Sequence, residues 1–188
     1  LLLIPKIIAA TTEKEAADVL RDTLTALNLT TDYIELNKIK NVLQGYEVEF
    51  KDISDKYREL ASPKSYTDLH EVRVELNFLY RDVTDNCSFE INQKKIYWEE
   101  RKTVIRGEAM FEIAGDENKQ KVVKATSASA LRDVYGAADS MKEYVHLYAI
   151  SYGLYKNLES LLTSIRMMID SISSEEKHLL FIEQKDAK

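Results

Sequence analysis

Apolar residues recur at gaps of three and four along most of this chain, the spacing that lays one stripe down a helix. The clearest run is Leu69, Val72, Leu76, Leu79 and Val83, whose alternating gaps match the period of a coiled-coil seam. This predicts a helix opening near Tyr66-Thr67-Asp68 and running to about residue 113. The pattern degrades where Asn86, Cys87, Glu90 and Lys94 occupy or border the expected seam, and Trp98 and Ile105 resume it. Either the helix is exposed there, or a second partner covers another face.

A second long helix is predicted over 128–172, starting at Thr126-Ser127-Ala128-Ser129. Its stripe reads Ala138, Met141, Val145, Tyr148, Tyr152 and Tyr155, then changes phase through Leu158, Leu161, Ile165, Met168 and Ile172. A phase shift changes the apolar face, so the two ends of this helix should meet different neighbours. Ser171–Glu176 is expected to fray the helix, leaving Leu179-Leu180-Phe181-Ile182 as a short apolar tail. Gly115 with Asp116-Glu117-Asn118-Lys119 suits a helix C-cap and turn. Residues 115–127 then form a hairpin tip, in which Lys121-Val122-Val123-Lys124 is either a short strand or plain connection.

Upstream, Thr12-Glu13-Lys14-Glu15 has the form of a capping box. Ala16, Val19, Leu20, Leu24 and Leu27 make one stripe, and Asn28-Leu29-Thr30-Thr31-Asp32 should end that helix. A further helix is predicted from Tyr33 to Leu60 on Leu36, Ile39, Val42, Leu43, Tyr46, Phe50, Ile53, Tyr57 and Leu60. Ala61-Ser62-Pro63-Lys64-Ser65 is the clearest break, because proline cannot continue a helix and restricts its predecessor too. The expected architecture is all-α: a long antiparallel coiled-coil-like hairpin over 63–188, with an N-terminal helical pair over 1–62.

Composition supports long helices, since only five glycines and two prolines punctuate the chain. The aromatic set is skewed, with eleven tyrosines, a residue that packs its ring and keeps its hydroxyl wet. One cysteine, Cys87, excludes an intramolecular disulfide framework and fits a reducing, cytoplasmic compartment. The opening Leu1-Leu2-Leu3-Ile4-Pro5-Lys6-Ile7-Ile8-Ala9-Ala10 is apolar but too short to span a bilayer, and it lacks the basic start of a secretory signal. With no initiator Met, the true start is expected to be missing or processed. This strip should pack on its own domain or on a neighbouring subunit.

No catalytic motif is superimposed on this scaffold. The glycines are scattered singly, so no phosphate loop exists. Glu99-Glu100 and Glu175-Glu176 are adjacent pairs that do not share a helix face, which suits solvated surface rather than a carboxylate dyad. His70, His146 and His178 have no ligand spacing, and no metal or cofactor is expected.

One stretch stands apart. Lys94, Lys95, Arg101, Lys102 and Arg106 lie within thirteen residues that also hold Tyr97 and Trp98, in a chain whose net charge is -6. The tip adds Lys119, Lys121 and Lys124. Basic groups interleaved with aromatics can hold a single-stranded backbone while rings stack on bases. The competing reading is a solvated coiled-coil flank with Trp98 and Ile105 in the core. Tyr144, Tyr148, Tyr152 and Tyr155 read as a helix contact or a subunit interface.

From Leu69 to Ile172 the chain resembles the phage recombination mediator proteins of the UvsY type. The comparable elements are Leu79-Tyr80-Arg81-Asp82, then the run from Arg101 through Arg106-Gly107-Glu108-Ala109-Met110-Phe111 to Gly115, then the helix from Ala128. The resemblance implies a ring-like homo-oligomer that binds single-stranded DNA and works beside a recombinase and a single-strand-binding protein. It also implies that Arg106, with Arg101 and Lys102, contacts DNA. Glu108 stands where the family pattern has its second basic residue, only Phe111 remains of an aromatic pair, and residues 1–60 have no counterpart. The expectation is a non-enzymatic, cytoplasmic DNA-binding accessory protein with no membrane role. The alternative is an oligomeric helical scaffold, inhibitor or adaptor that binds protein through its tyrosine-rich face.

Overall fold

The computed structural model describes residues 13–114 and 139–186. Those residues form three helical rods: α1 (Glu13–Glu59), a broken rod, and α4 (Asp139–Asp186). The broken rod is α2 (Tyr66–Val83), a π-helical segment (Thr84–Ser88) and α3 (Phe89–Ala114). At about 1.5 Å per residue, the 47 residues of α1 and the 48 of α4 each extend roughly 70 Å.

Cross-helix pairs set the directions. Tyr46 meets Asn86, and Lys56 meets Glu75, so α1 runs antiparallel to the broken rod. Lys95 meets Tyr155 and Arg73 meets Glu176, so α4 is antiparallel to that rod as well. Ser54 meets Met168 and Tyr57 meets Glu175, which makes α1 and α4 parallel. The long antiparallel hairpin is therefore present, with α1 lying against it. One apolar cluster joins Leu36, Ile39, Leu43 and Ile53 of α1 to the seams of the other two rods.

The rod from Tyr66 begins as the sequence predicts. Ser65 caps it, its side chain accepting from the Asp68 N–H at 3.1 Å, which satisfies one of the otherwise unpaired first-turn donors. Leu69, Val72, Leu76, Leu79 and Val83 are all buried. The π segment falls where the apolar pattern degrades. Beyond Val83 the buried positions are Cys87, Ile91, Trp98 and Ile105, one place later than a strict seven-residue repeat would put them. A π turn takes up one extra residue. The helix neither becomes exposed nor changes partner: the insertion returns the stripe to the same groove.

The break expected at Asn28–Asp32 is absent, and α1 runs through it. Local turn signals are worth about 1 kcal/mol. Here tertiary contacts outweigh them: the Tyr33 ring lies 5.9 Å from that of His146, and Glu35 pairs with Lys94.

In α4 the phase shift is also absent. The buried line is Leu147, Ser151, Leu154, Leu158, Leu161, Ile165, Ile172 and Glu176, at gaps of three, four or seven throughout. Tyr148, Tyr152 and Tyr155 sit on the flank of that seam, half-buried or exposed. The helix also passes Ser171–Glu176 without fraying. Ser174 Oγ donates to the Asp170 carbonyl at 3.1 Å, within the helix. Glu176 is a carboxylate at a core position, with Oε2 2.8 Å from Arg73 Nε and Oε1 3.6 Å from His70 Nδ1.

Among the described residues, no helix is long and apolar enough to cross a membrane. The tip 115–127, with Lys119, Lys121 and Lys124 and the short strand considered at Lys121–Lys124, lies outside the described residues. So does the expected helix start near residue 126.

Candidate nucleic-acid interface

Antiparallel packing of α3 on α4 fixes which basic residues of α3 meet which rings. Lys95 and Lys102 are seven residues apart and share a helix face. On α4, Tyr148 and Tyr155 have the same separation. The Lys95 ammonium sits 4.3 Å from the Tyr155 ring centre, and that of Lys102 sits 4.7 Å from Tyr148. The Arg101 guanidinium is 5.9 Å from Tyr144. From α4 itself, Lys156 lies 5.7 Å from Tyr152 and 5.3 Å from Tyr155. Cations at these distances are drawn to the negative face of the ring.

The tyrosines also contact one another. Tyr148 and Tyr152 stack at 6.0 Å, and Tyr152 and Tyr155 follow at 6.3 Å. The result is a ladder of rings edged by Lys95, Arg101, Lys102 and Lys156. Two carboxylates adjoin it. Glu159 accepts from the Tyr155 hydroxyl and from Lys156, and these bonds, Lys156 first, hold its carboxyl below the usual range. The bond to Glu159 raises both Tyr155 and Lys156 above their ordinary values. Burial, then Glu99, pushes the Tyr148 hydroxyl up. Tyr148 and Tyr155 therefore carry neutral hydroxyls at neutral pH.

The other basic residues of the sequence motif divide by helix face. Lys94 turns to α1, where it pairs with Glu35 and stands 3.9 Å from Asp32. Burial pushes the Asp32 carboxyl up; Lys94 opposes that shift and Glu35 adds to it. Trp98 is 1% exposed, with its ring 5.8 Å from Tyr144 between α3 and α4. A base cannot stack on it without opening the hairpin. Tyr97 is exposed and meets Trp98 edge-on at 4.9 Å. Arg106 belongs to the helical span of α3, but its side chain lies outside the described residues.

The structure thus brings together Lys95, Arg101 and Lys102 of the expected site, places Lys94 and Trp98 elsewhere, and adds Tyr148, Tyr152, Tyr155 and Lys156. The four-residue spacing of the tyrosines was visible in sequence, but it fits a buried contact equally well.

Two other features are distinct from the ladder. A cleft of about 640 Å³ lies beside the α1–α2 connection, lined by Ser62, Lys64, Leu69, Glu175, His178 and Leu179 among others. Lys64 there sits 3.7 Å over the Tyr57 ring and 3.2 Å from Glu175, which ties the connection to α4. Twenty residues of α4 separate Glu175 from Tyr155, roughly 30 Å. Cys87 is buried in the π segment, and burial followed by Glu90 pushes its thiol up, away from thiolate chemistry. No cluster of three or more metal-ligating side chains occurs among the described residues.

No family model, curated protein or solved structure matches this chain.

Proposed function

We propose that this chain is a non-enzymatic single-stranded DNA-binding accessory protein. In this reading it assembles as a homo-oligomer and acts as a recombination mediator beside a recombinase or single-strand-binding protein. One observation carries the proposal: Lys95, Arg101 and Lys102 of α3 align on the tyrosine flank of α4. Cations bordering aromatic rings on a helical surface are the chemistry that a single strand requires, phosphate on one side and base on the other.

The test is anisotropy of a labelled single-stranded oligonucleotide titrated with the full chain at low and moderate salt. Affinity should fall steeply with salt, because each neutralised phosphate releases counterions. Replacing Lys95, Arg101 and Lys102 together by Gln should flatten the logarithmic salt slope by about 2, at roughly 0.7 per lost contact on single strands. Absence of binding at low salt sinks the proposal.

A second reading, an oligomeric scaffold, inhibitor or adaptor that binds protein, is favoured by a different surface. Val74, Phe78, Phe89, Ile96 and Val104 are exposed along α2 and α3, with Phe89 at 75%. Exposed apolar groups mark a contact surface where they join into one continuous patch. If light scattering shows only monomer at micromolar concentration, self-assembly falls in both readings.

A further inference from the structure

We infer that Tyr152, flanked by Tyr148 and Tyr155, is the platform on which bases of a single strand stack, while Lys95 and Lys102 pass from the faces of Tyr155 and Tyr148 to the phosphates. The inference rests on the DNA-binding reading above and goes beyond it, because it assigns the aromatic role to α4 rather than to the Tyr97–Trp98 pair in the basic stretch.

Three observations carry it. The first is access: Tyr152 is 40% exposed at the centre of the ladder, whereas Trp98 is enclosed at 1%. The second is arrangement. The rings of Tyr148, Tyr152 and Tyr155 follow one another at 6.0 and 6.3 Å with interplanar angles of 23° and 34°. The three rings follow one another along one helix, so a strand laid along α4 meets them in succession. The third is charge. Lys95, Arg101, Lys102 and Lys156 border the rings, against Glu99 and Glu159. A cation held over a ring face is attracted weakly and reversibly. A phosphate is a stronger partner for an ammonium. A polyanion therefore draws the lysines outward and uncovers the rings in the same movement. An acidic protein surface would also draw the lysines but would leave the ring faces unused.

Anisotropy with two labelled probes of equal length separates these contributions: oligothymidylate and an abasic deoxyribose-phosphate oligomer. The full chain should bind oligothymidylate more tightly than the abasic probe. Tyr152→Phe, which keeps the ring, should match the parent. Tyr152→Ala should weaken oligothymidylate binding about fivefold or more and leave the abasic probe unchanged. Circular dichroism melts confirm that the variants fold, and the two-probe comparison on the parent needs no variant. Equal affinity for both probes, insensitive to Tyr152→Ala, overturns the stacking assignment while leaving a backbone-binding protein. No binding of either probe at low salt overturns the underlying reading as well.

Discussion

Deleting one residue inside a helix is normally ruinous, yet deleting Asp85 from this one should be tolerated. Asp85 is exposed within the π segment. Without it, Cys87, Ile91, Trp98 and Ile105 stand three, seven, fourteen and twenty-one places after Val83, which are the positions of an uninterrupted seven-residue seam. The wide turn can close to an ordinary α-turn, and the buried stripe keeps facing α1 and α4. What remains is an axial displacement of about 1.5 Å along the rod and the loss of one exposed side chain. The expected cost is about 1 kcal/mol or less, a melting shift within about 4 °C for a chain of this size. The control is deletion of Gln93, equally exposed but inside regular α-helix. That deletion turns Trp98 and Ile105, 1% and 0% exposed, by about 100° away from their grooves. Losing a buried Trp and a buried Ile costs about 5–10 kcal/mol together, comparable to the net stability of a whole domain. Thermal and urea melts followed by circular dichroism compare the two. Equal damage from both deletions would show that the π segment is not a one-residue insertion in an otherwise regular seam.

The buried Glu176 gives a second test. Arg73→Ala leaves its carboxylate without its closest cationic partner and should cost about 3–5 kcal/mol in urea melts. Glu176→Leu should be near neutral, because Arg73 can reach solvent. A larger loss from Glu176→Leu than from Arg73→Ala would refute that assignment. Asp32 gives a third, in pH. Its folded-state carboxyl is raised above the ordinary 3.8, mainly by burial, so ionising it opposes folding. That penalty is absent below the ordinary value and grows as pH rises through the raised one. Asp32→Asn should therefore match the parent in acid and exceed it in stability at neutral pH. Parallel stability curves for the two proteins would contradict this.

Much of the architecture was legible in the sequence, because it rests on apolar periodicity and on proline. The seam from Leu69 to Val83, the break at Pro63 and the antiparallel hairpin needed nothing more. Three things were hidden, each for a physical reason. The continuity of α1 across Asn28–Asp32 depends on contacts of Tyr33 and Glu35 with residues far along the chain, which local propensity does not record. The seam of α4 was hidden by Ser151, a polar residue 1% exposed within it. Counting the neighbouring tyrosines as core moved the stripe to the wrong side and produced an apparent phase shift. The π segment could be read only as a fault in the pattern. The candidate site was half visible: its cations lie in one continuous stretch, but the rings beside them come from a helix some fifty residues later. Helical spacing alone also could not separate Lys95, which meets Tyr155, from Lys94, which meets Glu35.

The burial of Trp98 gives this protein an optical reporter of its own. It is the chain's single tryptophan, so its emission has one origin. Its indole lies between α3 and α4, 5.8 Å from the ring of Tyr144 and three residues along the chain from both Lys95 and Arg101. Tyr144 and Tyr97 are close enough to pass excitation energy to it. Any event that parts the hairpin at this level will shift its colour toward the red and expose it to dissolved quenchers. An event confined to the ladder surface will alter the energy it receives while leaving its colour in place. Unlabelled protein can therefore distinguish a ligand that rests on the helices from one that pries them apart.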